Sequence, residues 1–145
     1  MTYKIVLGRT ENDKKKFGDK AAIFLGRHYV KMGQVTSLSS NLLLDVAKAH
    51  VILVSGKRGS GKSYTLGVMA EEMSNLPPEV SQNLSIIMFD TMGVFWTMKY
   101  PNEKEENLLL KWGMKQTKLN SIDVYIPHGF FDDYKSKGIL ADYSF

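Results

Sequence analysis

The feature that most constrains the fold is a glycine-rich turn placed between an uncharged apolar run and a helix-forming stretch. The apolar run, Val51 to Ser55, is rich in β-branched residues, as expected of a strand that is buried on both faces. The turn reads GKRGSGKS over residues 56–63. An apolar stripe at helical spacing then follows, formed by Leu66, Met69, Ala70 and Met73. These residues predict a strand, a turn and a helix in direct succession, with Glu71 and Glu72 outside the stripe.

The rest of the chain predicts an α/β protein with a β-rich beginning. Short β-like pieces separated by glycines occupy residues 1–45, whereas apolar runs and helical stretches alternate from residue 46 to residue 145. Such alternation is typical of βαβ units and a parallel sheet flanked by helices. Further strands are predicted at 84–90 and 122–126. Further helices are predicted at 103–112, with Asn102 as N-cap and Gly113 at the exit, and at 130–137.

The turn matches the phosphate-binding pattern G-x-x-x-x-G-K-S/T, known as the P-loop or Walker A motif, at every defined position. Gly56, Gly59 and Gly61 can take backbone angles that let successive N–H groups converge on phosphate oxygens. Lys62 is the predicted catalytic residue, because its ammonium can reach the β- and γ-phosphates and offset the charge that grows as the terminal bond breaks. Ser63 can complete a Mg²⁺ coordination sphere. The predicted cofactors are therefore ATP and Mg²⁺.

Four more residues complete the predicted cofactor-binding set. Ser60 lies inside the motif, and Tyr64 follows it directly, where its ring either contacts the nucleotide or packs on the helix. Lys57 and Arg58 fill variable positions, from which they either touch phosphate or point to water.

Asp90, at the end of the second predicted strand, has three interpretations. It can be the metal-water ligand of a Walker B strand, and on this basis it is assigned to Mg²⁺ together with Ser63. The stretch Asp90 to Gly93 also matches the D-x-x-G switch of GTPases, although Asn120 stands where their base-reading motif needs a carboxylate. In the third interpretation, the acid only caps a strand and orders the next turn.

The stretch from Gly26 to Met73 resembles the archaeal HerA-type branch of the HerA and FtsK ATPases. The likeness extends over roughly residues 21–130 and includes the turn Asp90-Thr91-Met92-Gly93-Val94-Phe95, in which Val94 stands where the family often has glutamate. The resemblance implies an incomplete RecA-like P-loop NTPase domain at 46–145 and a hexameric ring that couples ATP hydrolysis to movement on DNA. In that family the Walker B acid comes much later than the strand that follows the P-loop helix, and the resemblance implies that its counterpart is not reached before Phe145. This chain therefore resembles the first part of a longer ATPase.

Composition narrows the remaining function classes. Residues 1–36 carry eight Lys or Arg and three Asp or Glu, which suits DNA as a partner, although a solvated basic loop around Lys14 to Lys16 explains part of the excess. The absence of cysteine excludes disulfides and thiolate metal sites. No apolar run approaches a membrane span, and the N-terminus lacks the layout of a secretory signal, so the expected location is the cytoplasm without a membrane partner.

Two alternative functions remain open at this point. The chain can be a nucleotide-binding module without turnover of its own, because residues 1–145 contain no counterpart of the acidic Walker B strand of the HerA-type ATPases. It can also be a small-molecule kinase in which Asp90 acts as the base.

Overall fold

A computed structural model describes residues 3–112, 114–139 and 141–145. The chain forms two compact units, which meet in sequence between Ile86 and Ile87. The first unit contains β1 (Lys4–Leu7), α1 (Glu11–Phe17), β2 (Ala22–Met32), β3 (Val35–Asp45), α2 (Lys62–Ser74) and α3 (Pro78–Ser81). The domain boundary predicted between residues 45 and 46 remains a prediction.

A three-stranded sheet organises the first unit. Its strand order is β1-β3-β2, with β1 parallel and β2 antiparallel to the central β3. Ile23 pairs with Leu44 across β2 and β3, and these residues are only 1% and 8% exposed. Leu44 at the end of β3 and Ile23 of β2 therefore lie in the core of this unit, and the sheet agrees with the predicted β-rich beginning.

The outer halves of β2 and β3 continue beyond β1 as a two-stranded ribbon. The pairing of β1 with β3 covers only Asn41 to Leu44 of β3, whereas β2 pairs with β3 out to Met32 and Val35. Gly33, with φ +61°, closes the turn between the two strands. We call residues 27–32 of β2 and 35–40 of β3 the ribbon.

The basic run at Lys14 to Lys16 lies on α1, so the prediction of a loop there is wrong. Thr10 begins the helix with a capping box, in which its side chain accepts a hydrogen bond from the backbone of Asp13 and the Asp13 carboxylate bonds back to the Thr10 backbone. The lysines occupy the last turn, where positive charge complements the helix dipole.

Helix α2 confirms the predicted helix after the glycine-rich turn and ends at Asn75, as expected. Ala70, from the predicted apolar stripe, is buried. The placement of Glu72 outside the packed face is wrong, since its Oε2 accepts a hydrogen bond of 3.3 Å from the Phe24 backbone N–H on edge strand β2. Burial raises the pKa of the Glu72 carboxyl above its ordinary value, and this effect outweighs the opposing hydrogen bond from Phe24.

The strands predicted at Val51 to Ser55 and Leu84 to Asp90 are not confirmed. Both segments lie outside the sheets that the described residues form, so the predicted parallel sheet is not built from them. A strand needs a neighbour for its backbone hydrogen bonds, and here Leu53 and Phe89 are 88% and 94% exposed. The parallel pairs that do form are β1 with β3 and, in the second unit, β4 with β5.

The second unit consists of short elements. They are a 3₁₀ helix at Phe95–Lys99, α4 (Glu106–Trp112), β4 (Tyr125–Ile126), a 3₁₀ helix at His128–Phe130, α5 (Phe131–Ser136) and β5 (Tyr143–Ser144). The tyrosine rings at the paired positions of β4 and β5 stack, with centroids 5.0 Å apart. The helices predicted at 103–112 and 130–137 are present in shorter form, and the predicted exit residue Gly113 lies outside the described residues.

None of the helices formed by the described residues has the length and apolar character needed to cross a bilayer.

Candidate functional site

The glycine-rich turn takes a backbone course that side chains would hinder. Gly59 and Gly61 have φ angles of +77° and +84°, in the left-handed region that favours glycine. Gly56 has a different constraint, since a Cβ atom at this position would collide with the Ser60 side chain. Each of the three motif glycines therefore has a physical reason to be glycine.

Helix α2 begins directly at the end of this turn. Its N-cap is Gly61, which provides no side-chain hydrogen bond to the first turn, and that turn carries no acidic residue. The first N–H groups of a helix have no partner within the helix, and the helix dipole gives them partial positive charge. This end of α2 is consequently suited to an anion.

Lys62, the predicted catalytic residue, donates a hydrogen bond to its own loop. Its Nζ atom lies 2.9 Å from the Lys57 backbone oxygen, which also accepts from the Ser60 backbone N–H at 3.2 Å. The ammonium group is thus folded over the turn rather than extended into solvent. A phosphate oxygen offers the same ammonium a negatively charged acceptor, and charge-assisted hydrogen bonds are stronger than neutral ones.

An open depression of about 320 Å³ lies over this part of the turn. Its lining consists of Gly59, Ser60, Gly61, Lys62, Ser63 and Tyr64. Tyr64 is 68% exposed. The structure therefore brings together six of the nine predicted cofactor-binding residues, whereas Gly56, Lys57 and Arg58 belong to the same turn without lining the depression.

A buried ion pair anchors the chain just before this turn, and sequence reasoning missed it. Arg9 Nε donates to Asp45 Oδ1 at 2.8 Å, and His50 Nε2 lies 2.8 Å from Asp45 Oδ2. The Arg9 and Asp45 side chains are 0% and 1% exposed. Burial alone would raise the pKa of Asp45, but hydrogen bonds from His50 and Arg9 outweigh it and hold that pKa below its ordinary value.

This cluster fixes where the apolar run begins, because His50 directly precedes Val51. Arg9 also donates to the backbone oxygens of Gly18, Lys20 and Ala21, so one guanidinium ties together β1, α1 and β2. Gly8, with φ +83°, leaves room for the imidazole, since a Cβ there would approach His50 Cε1 to 2.8 Å. The available signal in the sequence was an isolated acid, Asp45, ending an apolar run.

Asp90 belongs to the second unit and organises the turn that follows it. Its Oδ1 accepts backbone N–H bonds from Met92 and Gly93, at 3.1 and 2.9 Å. Its Oδ2 accepts from Val94 and Phe95, at 2.6 and 2.8 Å. A carboxylate has about four lone-pair sites, so two hydrogen bonds on each oxygen fill them. This geometry favours the interpretation in which Asp90 caps a segment and orders the next turn.

The assignment of Ser63 and Asp90 to Mg²⁺ remains a prediction. The two residues lie in different units. Among the described residues, no group of three or more His, Cys, Asp or Glu side chains is arranged to hold a metal ion. A P-loop magnesium site differs from such a group, because phosphate oxygens and water supply most of the ligands.

Comparison with known proteins gives one family. The model of the family described as "Helicase HerA, central domain" matches residues 30–127. No curated protein and no solved structure matches the chain.

Proposed function

Because the chain belongs to the family of the HerA helicase central domain, we propose that it binds ATP with Mg²⁺ and takes part in ATP hydrolysis that drives movement on DNA. In this proposal, copies of the chain act within a hexameric ring, as the resemblance to archaeal HerA-type ATPases implies. The cytoplasm is the expected location.

The observation that carries the proposal is the glycine-rich turn leading into α2. Left-handed glycines, a helix N-terminus without a side-chain cap and an inward-folded Lys62 lie together around one open depression. Each of these features favours a phosphate chain, and their order along the sequence is that of a P-loop.

The residues of the turn have distinct roles in this proposal. Backbone N–H groups from Gly59 to Ser63 orient the phosphates, and Lys62 neutralises charge on the β- and γ-phosphate oxygens. The Ser63 hydroxyl is a ligand of Mg²⁺, which supplies charge neutralisation at the bond that breaks. Arg58 and Lys57 add positive charge at the rim of the turn.

A second candidate is a nucleotide-binding module without turnover of its own. The observation that favours it is the saturation of the Asp90 carboxylate by four backbone N–H groups. An acid in this state has no lone pair left for activating water or an acceptor hydroxyl. The same observation weighs against the kinase alternative with Asp90 as base.

The first test is nucleotide binding by the Lys62→Ala variant. We expect at least a tenfold loss of Mg-ATP affinity, measured by calorimetry, because the ammonium contacts two phosphates and an affinity change of this size needs only about 1.4 kcal/mol. Lys115→Ala is the matched control, since it removes the same charge from an exposed residue in the other unit. Equal affinity of Lys62→Ala and the parent chain would refute the proposed site.

The second test separates the two candidates. Phosphate release is measured for the parent chain with and without duplex DNA. Turnover that requires Lys62 and rises with DNA supports the motor, whereas tight binding of ATP without turnover supports the module.

A further inference from the structure

A stretch of 25 residues without negative charge, 20–44, coincides with the ribbon and its base. Between Asp19 and Asp45 there is no Asp or Glu, while Lys20, Arg27 and Lys31 are present. This stretch carries a net charge of +3, and the equally long acid-free stretch 46–70, which contains the glycine-rich turn, carries +4. Exposed basic side chains on one element, with no acid beside them, are suited to contact a nucleic acid.

The basic side chains of the ribbon face solvent. Arg27, His28 and Lys31 are exposed, and Met32 near the turn is 71% exposed. Tyr29 and Lys31 are two residues apart on one strand, so their side chains leave the same face of the ribbon. This arrangement places a positive charge and an amphipathic ring side by side, with no acidic residue in the ribbon to neutralise the charge.

The shape of the ribbon determines which nucleic acid it fits. The two strands are paired from Arg27 and Asn41 to Met32 and Val35, beyond the edge covered by β1. The major groove of B-form DNA is wide enough to admit a two-stranded β-ribbon, whereas the major groove of A-form RNA is deep and narrow. Single strands are usually held by several aromatic rings in succession, and Tyr29 is the one aromatic residue in the ribbon sequence.

We propose that the ribbon is a duplex-DNA contact, in which Arg27 and Lys31 bind phosphates along a groove. Base-specific recognition is not part of this proposal, because phosphate contacts carry affinity and position without sequence information. This proposal rests on the proposed movement on DNA and names the element that contacts the duplex. The contact requires no nucleotide and lies in strands that precede the glycine-rich turn, so it can be tested apart from ATP binding.

The bulge in β2 supports a contact role for this part of the sheet. The register of β2 against β3 shifts between Arg27 and Tyr29, at the point where the ribbon leaves the three-stranded sheet. A bulge bends and twists a strand locally and re-aims the side chains beyond it. The ribbon therefore begins at an irregularity of the kind that changes strand direction and side-chain placement.

The test measures binding of a fluorescently labelled 20-base-pair DNA duplex to the full chain by anisotropy, without nucleotide, at several salt concentrations. The variant Arg27→Gln with Lys31→Gln removes both charges and keeps hydrogen-bonding side chains. We expect its affinity to fall about tenfold near 100 mM salt and the slope of log affinity against log salt to decrease by about two, because two phosphate contacts are lost.

Two control variants make the result specific. Lys15→Gln with Lys16→Gln removes the same number of exposed charges from α1 and is expected to leave affinity nearly unchanged. Arg27→Lys with Lys31→Arg preserves charge and is expected to retain the salt slope. Circular dichroism of each variant verifies that the sheet is intact.

Three outcomes would overturn the proposal. One is equal binding by the Arg27 and Lys31 double variant and the parent chain. Another is an equal loss with the α1 variant, which would locate the contact outside the ribbon. The third is tighter binding of single-stranded DNA or duplex RNA of the same sequence. Failure here leaves ATP binding at the glycine-rich turn standing if the parent chain binds Mg-ATP and Lys62→Ala weakens that binding at least tenfold, so the two failures are distinguishable.

Discussion

At the scale of single residues, two carboxylates hold the backbone in place by different means. Asp45 is buried, and its partners are mainly side chains: Arg9 and the Ala47 backbone N–H donate to one oxygen, and His50 lies against the other. Asp90 is satisfied almost entirely by backbone N–H groups of the turn that follows it. Both acids stand at the end of apolar runs, yet their partners could not be inferred from that position alone.

Asp90→Ala tests whether this carboxylate is structural. We expect the free energy of unfolding to fall by about 2 kcal/mol, because hydrogen bonds to a charged acceptor contribute more than neutral ones and four N–H groups lose theirs. Urea denaturation without nucleotide or Mg²⁺ measures the effect, with exposed Asp123→Ala as control. Unchanged stability together with a loss of Mg²⁺ binding would instead support the metal assignment.

At the scale of elements, α2 links the candidate nucleotide site to the sheet. Its first residue, Lys62, belongs to the glycine-rich turn, and its third turn carries Glu72, which reaches the free edge of β2. An edge strand presents backbone groups without a neighbouring strand, and a side-chain acceptor satisfies one of them. The contact at Phe24 thus fixes the helix against the strand that continues into the ribbon.

Glu72→Gln tests the electrostatic part of this contact. The raised pKa of Glu72 means that the folded state favours the protonated carboxyl. The protonated carboxyl therefore contributes stability that is fully present below the ordinary pKa of a glutamate and is lost as the pH rises through the raised pKa. Glutamine is neutral throughout and keeps an acceptor oxygen for Phe24. We therefore expect the variant to be more stable than the parent at pH 7 and nearly equal to it at pH 4.

Thermal denaturation at the two pH values measures this difference. Glu79→Gln on α3 is the matched control, because its side chain is exposed. A Glu72→Gln variant that is less stable than the parent at pH 7 would contradict the prediction and indicate that the charge itself strengthens the bond to Phe24.

At the scale of the whole molecule, two segments that form neither helix nor strand, 51–55 and 84–90, expose large apolar side chains. Val51, Leu53, Ile87 and Phe89 are between 78% and 103% exposed. The described residues bury few large side chains by comparison, with Ile23 and Ile126 among them. Each unit therefore carries an exposed apolar segment, and exposed apolar side chains of this kind associate with other apolar groups.

The variant Leu53→Gln with Phe89→Gln tests both segments, with one substitution in each unit. We expect the isolated chain to enhance the fluorescence of the apolar dye ANS, and the variant to lose about half of the enhancement while its stability changes by less than about 0.5 kcal/mol, because neither side chain is part of a core. Ile126→Ala provides the contrast, with an expected loss of about 2–5 kcal/mol from a buried site. A large loss of stability in the double variant would show that these residues are buried in solution.

Local patterns predicted the helix at Lys62–Ser74 and the glycines of the turn, since both follow from short-range spacing and backbone freedom. The strands at 51–55 and 84–90 were predicted from apolar runs, but strand formation depends on neighbours that composition does not specify. Helix α1 was missed because its lysines were interpreted as a loop, although Thr10 and Asp13 carry a capping-box pattern. In the Arg9–Asp45–His50 cluster, Arg9 is 36 residues away from Asp45, and no local pattern predicts a pairing over that distance.

The hydrogen bond between Lys62 and the Lys57 carbonyl has a consequence for how a ligand enters the turn. The ammonium has three N–H donors and uses one of them for this carbonyl, so an incoming anion can accept from the other two while the carbonyl stays bound. The carbonyl also holds the long lysine side chain over the turn before a ligand arrives. Less side-chain entropy is then lost when an anion binds.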